Sequence, residues 1–298
     1  MPDANRTSPS VVLSSGPSMP RLGLGTWSMS DAQAREAVGQ AIGLGYRLID
    51  TAQMYGNEEG VGRGIRDGGV DRETLFVTTK LGAAEHGEVE TQDALARSAE
   101  RLGLDYVDLY LVHWPLPSQD RYVDAWRGLI KLRDQGRTRA IGVSNFKPAH
   151  IERLIHETGV APDVNQIQLN PHVTRNGVRE YDNEHAIVTQ SWSPLGRGVH
   201  ELLLGESPTG RSAVTVLDEP VIAEIAARHD RSSAQIVLRW HIDLGLAVVT
   251  KSTNPERMKA NIDVFDFALT PQEQAAISAL DHGEGAAADS DDPRVGWG

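Results

Sequence analysis

The chain has no cysteine among its 298 residues. That excludes disulfides, thiolate catalysis, Cys-ligated zinc and iron–sulfur clusters together. Positive charge is also scarce: 29 Lys and Arg stand against 41 Asp and Glu, a formal net charge of −12. Nucleic acid and anionic membranes are bound through cationic surface, so neither is expected as a partner. Long apolar runs are missing too. The N-terminal stretch offers only Val11-Val12-Leu13, shorter than a signal-peptide core. No stretch reaches the ~18 apolar residues of a membrane span. The expectation is a soluble, cytoplasmic protein with one large core.

Short β-branched runs recur at a steady pace, at Leu22–Gly25, Arg47–Asp50, Leu75–Thr79, Val107–Val112, Ala140–Val143, Val164–Ile167, Ile187–Ser191 and Leu246–Val249. Most are separated by apolar residues at helical spacing, such as Ala34, Ala37, Val38, Ala41 and Ile42. The penultimate connection is longer, with a polar loop at Arg197–Ala213 and helical segments near Pro220–Arg228 and Ser232–Asp243. Alternating strands and helices mean parallel βαβ units. Eight such repeats predict a closed (β/α)8 TIM barrel, with an open doubly wound sheet as the alternative. Ser14-Ser15-Gly16-Pro17, between two apolar patches in Val11–Pro20, predicts a β-hairpin able to cover the barrel floor. The whole chain, 1–298, reads as a single domain with flexible ends at 1–9 and 282–298. Val295 and Trp297 give the Gly-, Ala- and Asp-rich tail something to dock, as a C-terminal loop at the barrel mouth.

Working residues of such barrels sit at the C-terminal strand ends. The second barrel strand ends in Asp50, with Tyr55 five residues on; the third ends in Lys80 and the fourth leads into His113. Singly, each has a plain structural reading: helix cap, rim aromatic, solvated charge, packed imidazole. Together they make chemical sense. A free phenol, with a pKa of about 10, is a poor acid at neutral pH. A nearby ammonium favours the phenolate and lowers that value, a carboxylate keeps the ammonium charged, and an imidazole can hold a carbonyl oxygen. No side chain here is an obvious nucleophile, so a cofactor hydride is the natural attacking group.

Several segments, in order, resemble the aldo-keto reductase family. They are Gly23-Leu24-Gly25-Thr26-Trp27, Gly45–Ala52 with Tyr55-Gly56-Asn57-Glu58, Val77–Lys80 and Asp108–Pro115. The likeness continues through Ile141–Phe146, Asn165–Pro171, Ser193-Pro194-Leu195-Gly196 and Lys251–Arg257. The resemblance spans about Pro20 to Asp281 and is closest in kind to the bacterial 2,5-diketo-D-gluconate reductase-like branch. It implies NADPH-dependent reduction of aldehydes and ketones to alcohols, with Tyr55 as general acid, Lys80 and Asp50 tuning it, and His113 orienting the carbonyl. Ser144, Asn145 and Gln166 are implied to hold the nicotinamide carboxamide, and Trp192 to stack on its ring, where a tyrosine is commoner. Gly25, Thr26, Ser193, Leu195 and Gly196 are assigned to the cofactor as well, with Ser193–Gly196 at its pyrophosphate. Lys251, Ser252, Thr253, Arg257 and Asn261 are implied at the adenosine 2′-phosphate end. Trp27 and Trp114, with His113, are expected to line the substrate pocket. Many relatives are monomeric, and a monomer acting on a small-molecule carbonyl compound is the expectation.

Two departures stand out. Ala260 occupies a position where many members carry a glutamate against adenine, and the loop Trp114–Arg121 is short, which implies a more open pocket. The missing Gly-x-Gly-x-x-Gly agrees with a family that binds its dinucleotide without a Rossmann domain. Around Pro255 the residues leave open whether Lys251 and Arg257 are ordinary solvated charges or a phosphate site, and the resemblance implies the second, with NADPH preferred over NADH. Asn254 suits an N-cap and Pro255 a first helical position, so a helix N-terminus flanked by Lys251 and Arg257 would favour a phosphate. Three rival readings remain at this level. A metal-dependent hydrolase would need clustered ligands, but no H-x-H or H-E-x-x-H occurs and no metal is expected. A Schiff-base aldolase would need a depressed Lys80, against the influence of Asp50. A nucleotide-binding regulatory subunit would keep the site without turnover.

Overall fold

The computed structural model describes residues 8–196 and 215–295. It opens with the expected hairpin, β1 (Ser10–Val12) paired antiparallel with β2 (Ser18–Pro20). Eight strands follow: β3 (Leu22–Gly25), β4 (Leu48–Asp50), β5 (Phe76–Leu81), β6 (Val107–Val112), β7 (Thr138–Ser144), β8 (Val164–Gln168), β9 (Val188–Trp192) and β10 (Ala247–Thr250). They pair in parallel in that order, and β10 returns to β3 to close a barrel. The open doubly wound alternative is thereby excluded. Strand limits differ from expectation by a residue or two, where apolar patterning is weakest.

Around the barrel lie α1 (Asp31–Gly43), α2 (Glu58–Asp67), α3 (Glu88–Leu102), α4 (Tyr122–Asp134), α5 (Pro148–Thr158) and α6 (Asn176–Glu184). They are followed by α7 (Pro220–His229), α8 (Ser233–Asp243), α9 (Pro255–Ile262) and α10 (Pro271–Ser278). Local chemistry sets their ends. Ser30 and Gln33 form a capping box at the start of α1, and its buried stripe is Ala34, Ala37, Val38, Ala41 and Ile42, the set read from spacing. No helix among the described residues is long and apolar enough to cross a membrane.

The strand period of two divides the core. Outward residues such as Leu22, Leu24, Ile49, Val77, Tyr110, Val112, Ile141, Val143 and Val248 pack in the layer beneath the helices. Inward residues Leu48, Phe76, Leu109, Leu111, Ala140, Val164, Ala247 and Val249 fill the barrel, and the hairpin's Leu13 and Met19 join them as its floor. Crowding there explains one glycine: a Cβ on Gly23 would sit 2.4 Å from Leu48 Cγ. Continuing each inward row toward the strand's C-terminal end brings polar residues to the mouth, because only there can they reach solvent or a ligand.

The segment after α10 crosses that mouth. Ala288 and Val295 pack with Ala83, Trp114 and Leu116. Lys147 Nζ donates to Asp289 (2.7 Å) and Asp291 (2.6 Å), Arg175 pairs with Glu284, and the Ala288 N–H donates to Gln168 Oε1. The loop Arg197–Ala213 and Trp297, singled out from sequence, fall outside the described residues.

Candidate active site

Asp50 and Lys80 are consecutive inward residues on neighbouring strands, and His113 follows directly on the end of β6. Tyr55 arrives differently, on a 3₁₀ turn (Gln53–Tyr55) ended by Gly56 at φ 65°. Gln53 pins that turn to the loop after β5: its Oε1 accepts from the Gly82 N–H (3.1 Å) and its Nε2 donates to Glu85 (2.8 Å). The phenol is thus held against the lysine.

Lys80 is fully buried, and its ammonium has three acceptors: Asp50 Oδ1 at 2.6 Å, the Thr51 carbonyl at 2.9 Å and the Tyr55 hydroxyl at 3.4 Å. All three of its N–H groups are used. Because Lys80 donates to the phenol oxygen, the phenol's own proton is free to point elsewhere. The Tyr55 and His113 rings meet edge to face at 5.7 Å.

Burial alone would lower the Lys80 ammonium, but Asp50 and Tyr55 hold it above its ordinary value. Burial likewise drives His113 well below the usual imidazole range, with the Lys80 charge adding to the effect, so the ring is neutral at neutral pH. For Tyr55 the direction corrects the expectation from sequence. Burial lifts the phenol above its ordinary value, and Lys80 pulls it back only in part. The physical reason is that removing a phenolate from water costs more than one ammonium, itself shared with Asp50, returns. At neutral pH the site therefore holds a protonated phenol, a charged ammonium–carboxylate pair and a neutral imidazole.

Asp50, Tyr55 and His113 open into a cavity of about 180 Å³, and Lys80 lies buried behind them, off its wall. Of the residues singled out from sequence, Gly25, Trp27, Asp50, Tyr55, His113 and Trp114 line it, as do Ser144, Asn145, Gln166, Trp192, Ser193 and Lys251. Asn145 and Ser193 both adopt left-handed backbone conformations, φ 64° and 51°, of the kind that concentrates at functional sites. The Asn145 Nδ2 donates to the His113 carbonyl and to Ser144 Oγ, and its Oδ1 accepts from the Trp192 indole at 2.9 Å.

Other singled-out residues stand away from the cavity wall. Thr26 is fully buried and its hydroxyl donates to the Asp50 carbonyl, while Leu195 packs against the core. Gly196, at φ 74°, is pressed against Val216. Ser252, Thr253, Arg257 and Asn261 gather at the start of α9 and along it. There Asn254 caps the helix by accepting from the Arg257 N–H (3.0 Å), and the Ser252 hydroxyl is engaged by the Asn254 backbone. Arg257 and Lys251 are exposed beside this N-terminus.

Pro194, within the segment Ser193–Gly196, also lines the cavity, as do Met54 and Val249, which were missed from sequence. Val249 continues the inward row of β10 two residues before Lys251 and was within reach of the period-two pattern, whereas Met54 lies on the 3₁₀ turn beside Tyr55, beyond the strand, where that pattern gives no signal. Among the described residues, no group of three or more His, Asp or Glu side chains is arranged to hold a metal ion.

Comparison with known families matches residues 21–282 to the aldo/keto reductase family. An aldo-keto reductase of Mycolicibacterium vanbaalenii is 48% identical over 275 residues, covering 92% of this chain and 93% of its own length. The methylglyoxal reductase DkgA of Yersinia pestis is 46% identical over 276 residues, covering 93% and 94%. Among solved structures, a mutant of Gox0644 in complex with NADPH gives a TM-score of 0.86 at 40% identity, covering 96% of this chain and 98% of that one. A Bombyx mori aldo-keto reductase in complex with NADP gives 0.84 at 39% identity, covering 92% and 93%.

Proposed function

The chain belongs to the aldo/keto reductase family, and we propose that it reduces aldehydes and ketones to alcohols with NADPH, using Tyr55 as the general acid. The observation that carries the reading is the convergence of the Tyr55 phenol and a neutral His113 on one cavity, with the Asp50-paired Lys80 ammonium buried behind the phenol. The donor set fits the cofactor. Ser144, Asn145 and Gln166 supply hydroxyl and amide groups suited to a carboxamide on the wall that also holds Tyr55. Lys251, Arg257 and the N-terminus of α9 supply two cations and the positive end of a helix dipole, suited to a phosphate. NADPH bound there supplies the hydride that reduces the carbonyl carbon.

The protein's own part is to manage the oxygen. His113, neutral, can donate one ring N–H to it and fix its position; the His113 Nδ1 is buried and left unpaired by the protein itself. Tyr55 releases its proton to that oxygen, and the phenolate left behind accepts from Lys80, whose charge Asp50 keeps in place. Trp27, Trp114, Trp192 and Met54 give the pocket apolar walls that exclude water around the transfer. The Schiff-base reading is disfavoured by the same contacts, since Lys80 is held charged with every N–H engaged.

The test is a carbonyl panel followed by loss of NADPH absorbance, beginning with methylglyoxal, the substrate in the name of the Yersinia pestis relative. Tyr55→Phe keeps the ring and removes the proton. Turnover is expected to fall ~100-fold or more, with NADPH binding nearly unchanged. Wild-type protein that binds NADPH but turns over no member of the panel would favour the regulatory-subunit reading.

A further inference from the structure

The inward row of β9 contains a fully buried glutamine, Gln190, directly beside Gln166 in the β8–β9 register. Gln166 Nε2 donates to Asp50 Oδ2 at 2.7 Å and to Gln190 Oε1 at 2.7 Å. An amide nitrogen carries two hydrogens, and both are used. Asp50 on one side and Gln190 on the other present acceptors, so the Gln166 Oε1 is repelled from both and left for the cavity that Gln166 lines. Gln190 is itself oriented from below. Its Nε2 faces the Met19 thioether of the floor hairpin at 3.8 Å, which can only accept. An unbroken polar path thus runs from the barrel floor through Gln190, Gln166, Asp50 and Lys80 to Tyr55.

We propose that Gln190 is a positioning residue that turns the Gln166 carbonyl oxygen into the cavity, as acceptor for the –NH2 of the nicotinamide carboxamide. The proposal rests on reading the cavity as the NADPH site. It gives Gln190 a function in cofactor binding although it touches neither cofactor nor substrate. Gln190→Met removes the acceptor with little change of length, frees one Gln166 hydrogen and lets the amide rotate.

The experiment measures dissociation constants by quenching of tryptophan fluorescence, without turnover. Three ligands are compared: NADPH, its 3-acetylpyridine analogue, which lacks the –NH2, and 2′-phospho-ADP-ribose, which lacks the nicotinamide altogether. Gln190→Met is expected to weaken NADPH about tenfold, the scale of one lost buried hydrogen bond. Binding of the other two ligands is expected to change less than about twofold. Gln190→Glu, protonated when buried, keeps an acceptor oxygen toward Gln166 and is expected to restore NADPH binding to within about threefold of wild type. If Gln190→Met does not fold, Gln190→Leu carries the same comparison. Unchanged NADPH affinity overturns the proposal. So does an equal loss for NADPH and 2′-phospho-ADP-ribose, which is the mark of general barrel distortion. Wild-type protein that fails to bind NADPH overturns the functional reading first, and the role of Gln190 with it.

Discussion

Replacing Lys80 with methionine separates the catalytic from the structural consequences of the buried pair. The ammonium is fully buried, and Asp50 Oδ1 lies 2.6 Å from it. Without it, Asp50 keeps only the Gln166 N–H as a side-chain donor, so Lys80→Met leaves a buried carboxylate without its counter-ion. Breaking a buried pair in this way costs about 3–5 kcal/mol, a large share of the ~5–15 kcal/mol that holds a typical domain together. Removing the carboxylate as well, in Lys80→Met with Asp50→Leu, leaves one hydrogen of Gln166 unpaired. That costs ~1–3 kcal/mol, so the double variant is expected to be about 2 kcal/mol more stable than the single one. Turnover follows a different course. The charge and hydrogen bond of Lys80 are what lower the Tyr55 phenol against its burial, and neither variant has them. Both are expected to lose ~10²–10⁴ in kcat, the scale of a general acid's contribution. Urea unfolding followed by tryptophan fluorescence gives the stabilities, and NADPH absorbance with methylglyoxal gives the rates. Recovery of turnover together with stability in the double variant would refute the reasoning, as would Lys80→Met retaining more than about a tenth of wild-type turnover.

The pH profile tests the neutral imidazole. With His113 held well below its ordinary value and Tyr55 above its own, kcat for reduction is expected to stay level from about pH 6 to 9 and to fall at alkaline pH as the phenol loses its proton. An inflection near the ordinary histidine value of about 6.5 would show that His113 titrates in the working range. Arg257→Ala is expected to weaken NADPH ~10–100-fold and leave NADH almost unchanged, because a guanidinium grips a phosphate in two places. Equal wild-type dissociation constants for the two cofactors would contradict that reading. Removing the chain from Ala286 onward deletes Ala288 and Val295 from their contact with Trp114 and Leu116, and releases Lys147. The expected result is a higher KM for bulky carbonyl compounds with little movement of the thermal midpoint, and an unchanged KM across the panel would assign the segment no part in the pocket.

Much of this molecule was legible in one dimension because barrels repeat. A period of two along each strand decides which residues face inward, and strand ends decide which of those reach the mouth. Asp50, Lys80 and His113 could therefore be picked out as neighbours before any coordinates, whereas Ser144, Gln166 and Lys251 were reached only through the family resemblance. The capped start of α9 was legible for a similar reason, since Asn254 and Pro255 act within a few residues of chain. What only the tertiary structure decided involves contacts across the barrel and the desolvation that closure brings. Gln166 meets Asp50 from 116 residues away, and Gln190 matters because β9 lies in register with β8 above the Met19 floor. Lys147 finds Asp289 and Asp291 only once the tail has crossed the mouth. The direction of the Tyr55 shift belongs to this second kind. Residue types alone pointed to a phenol lowered by a lysine, but how far burial opposes that lysine depends on how much water the folded barrel excludes.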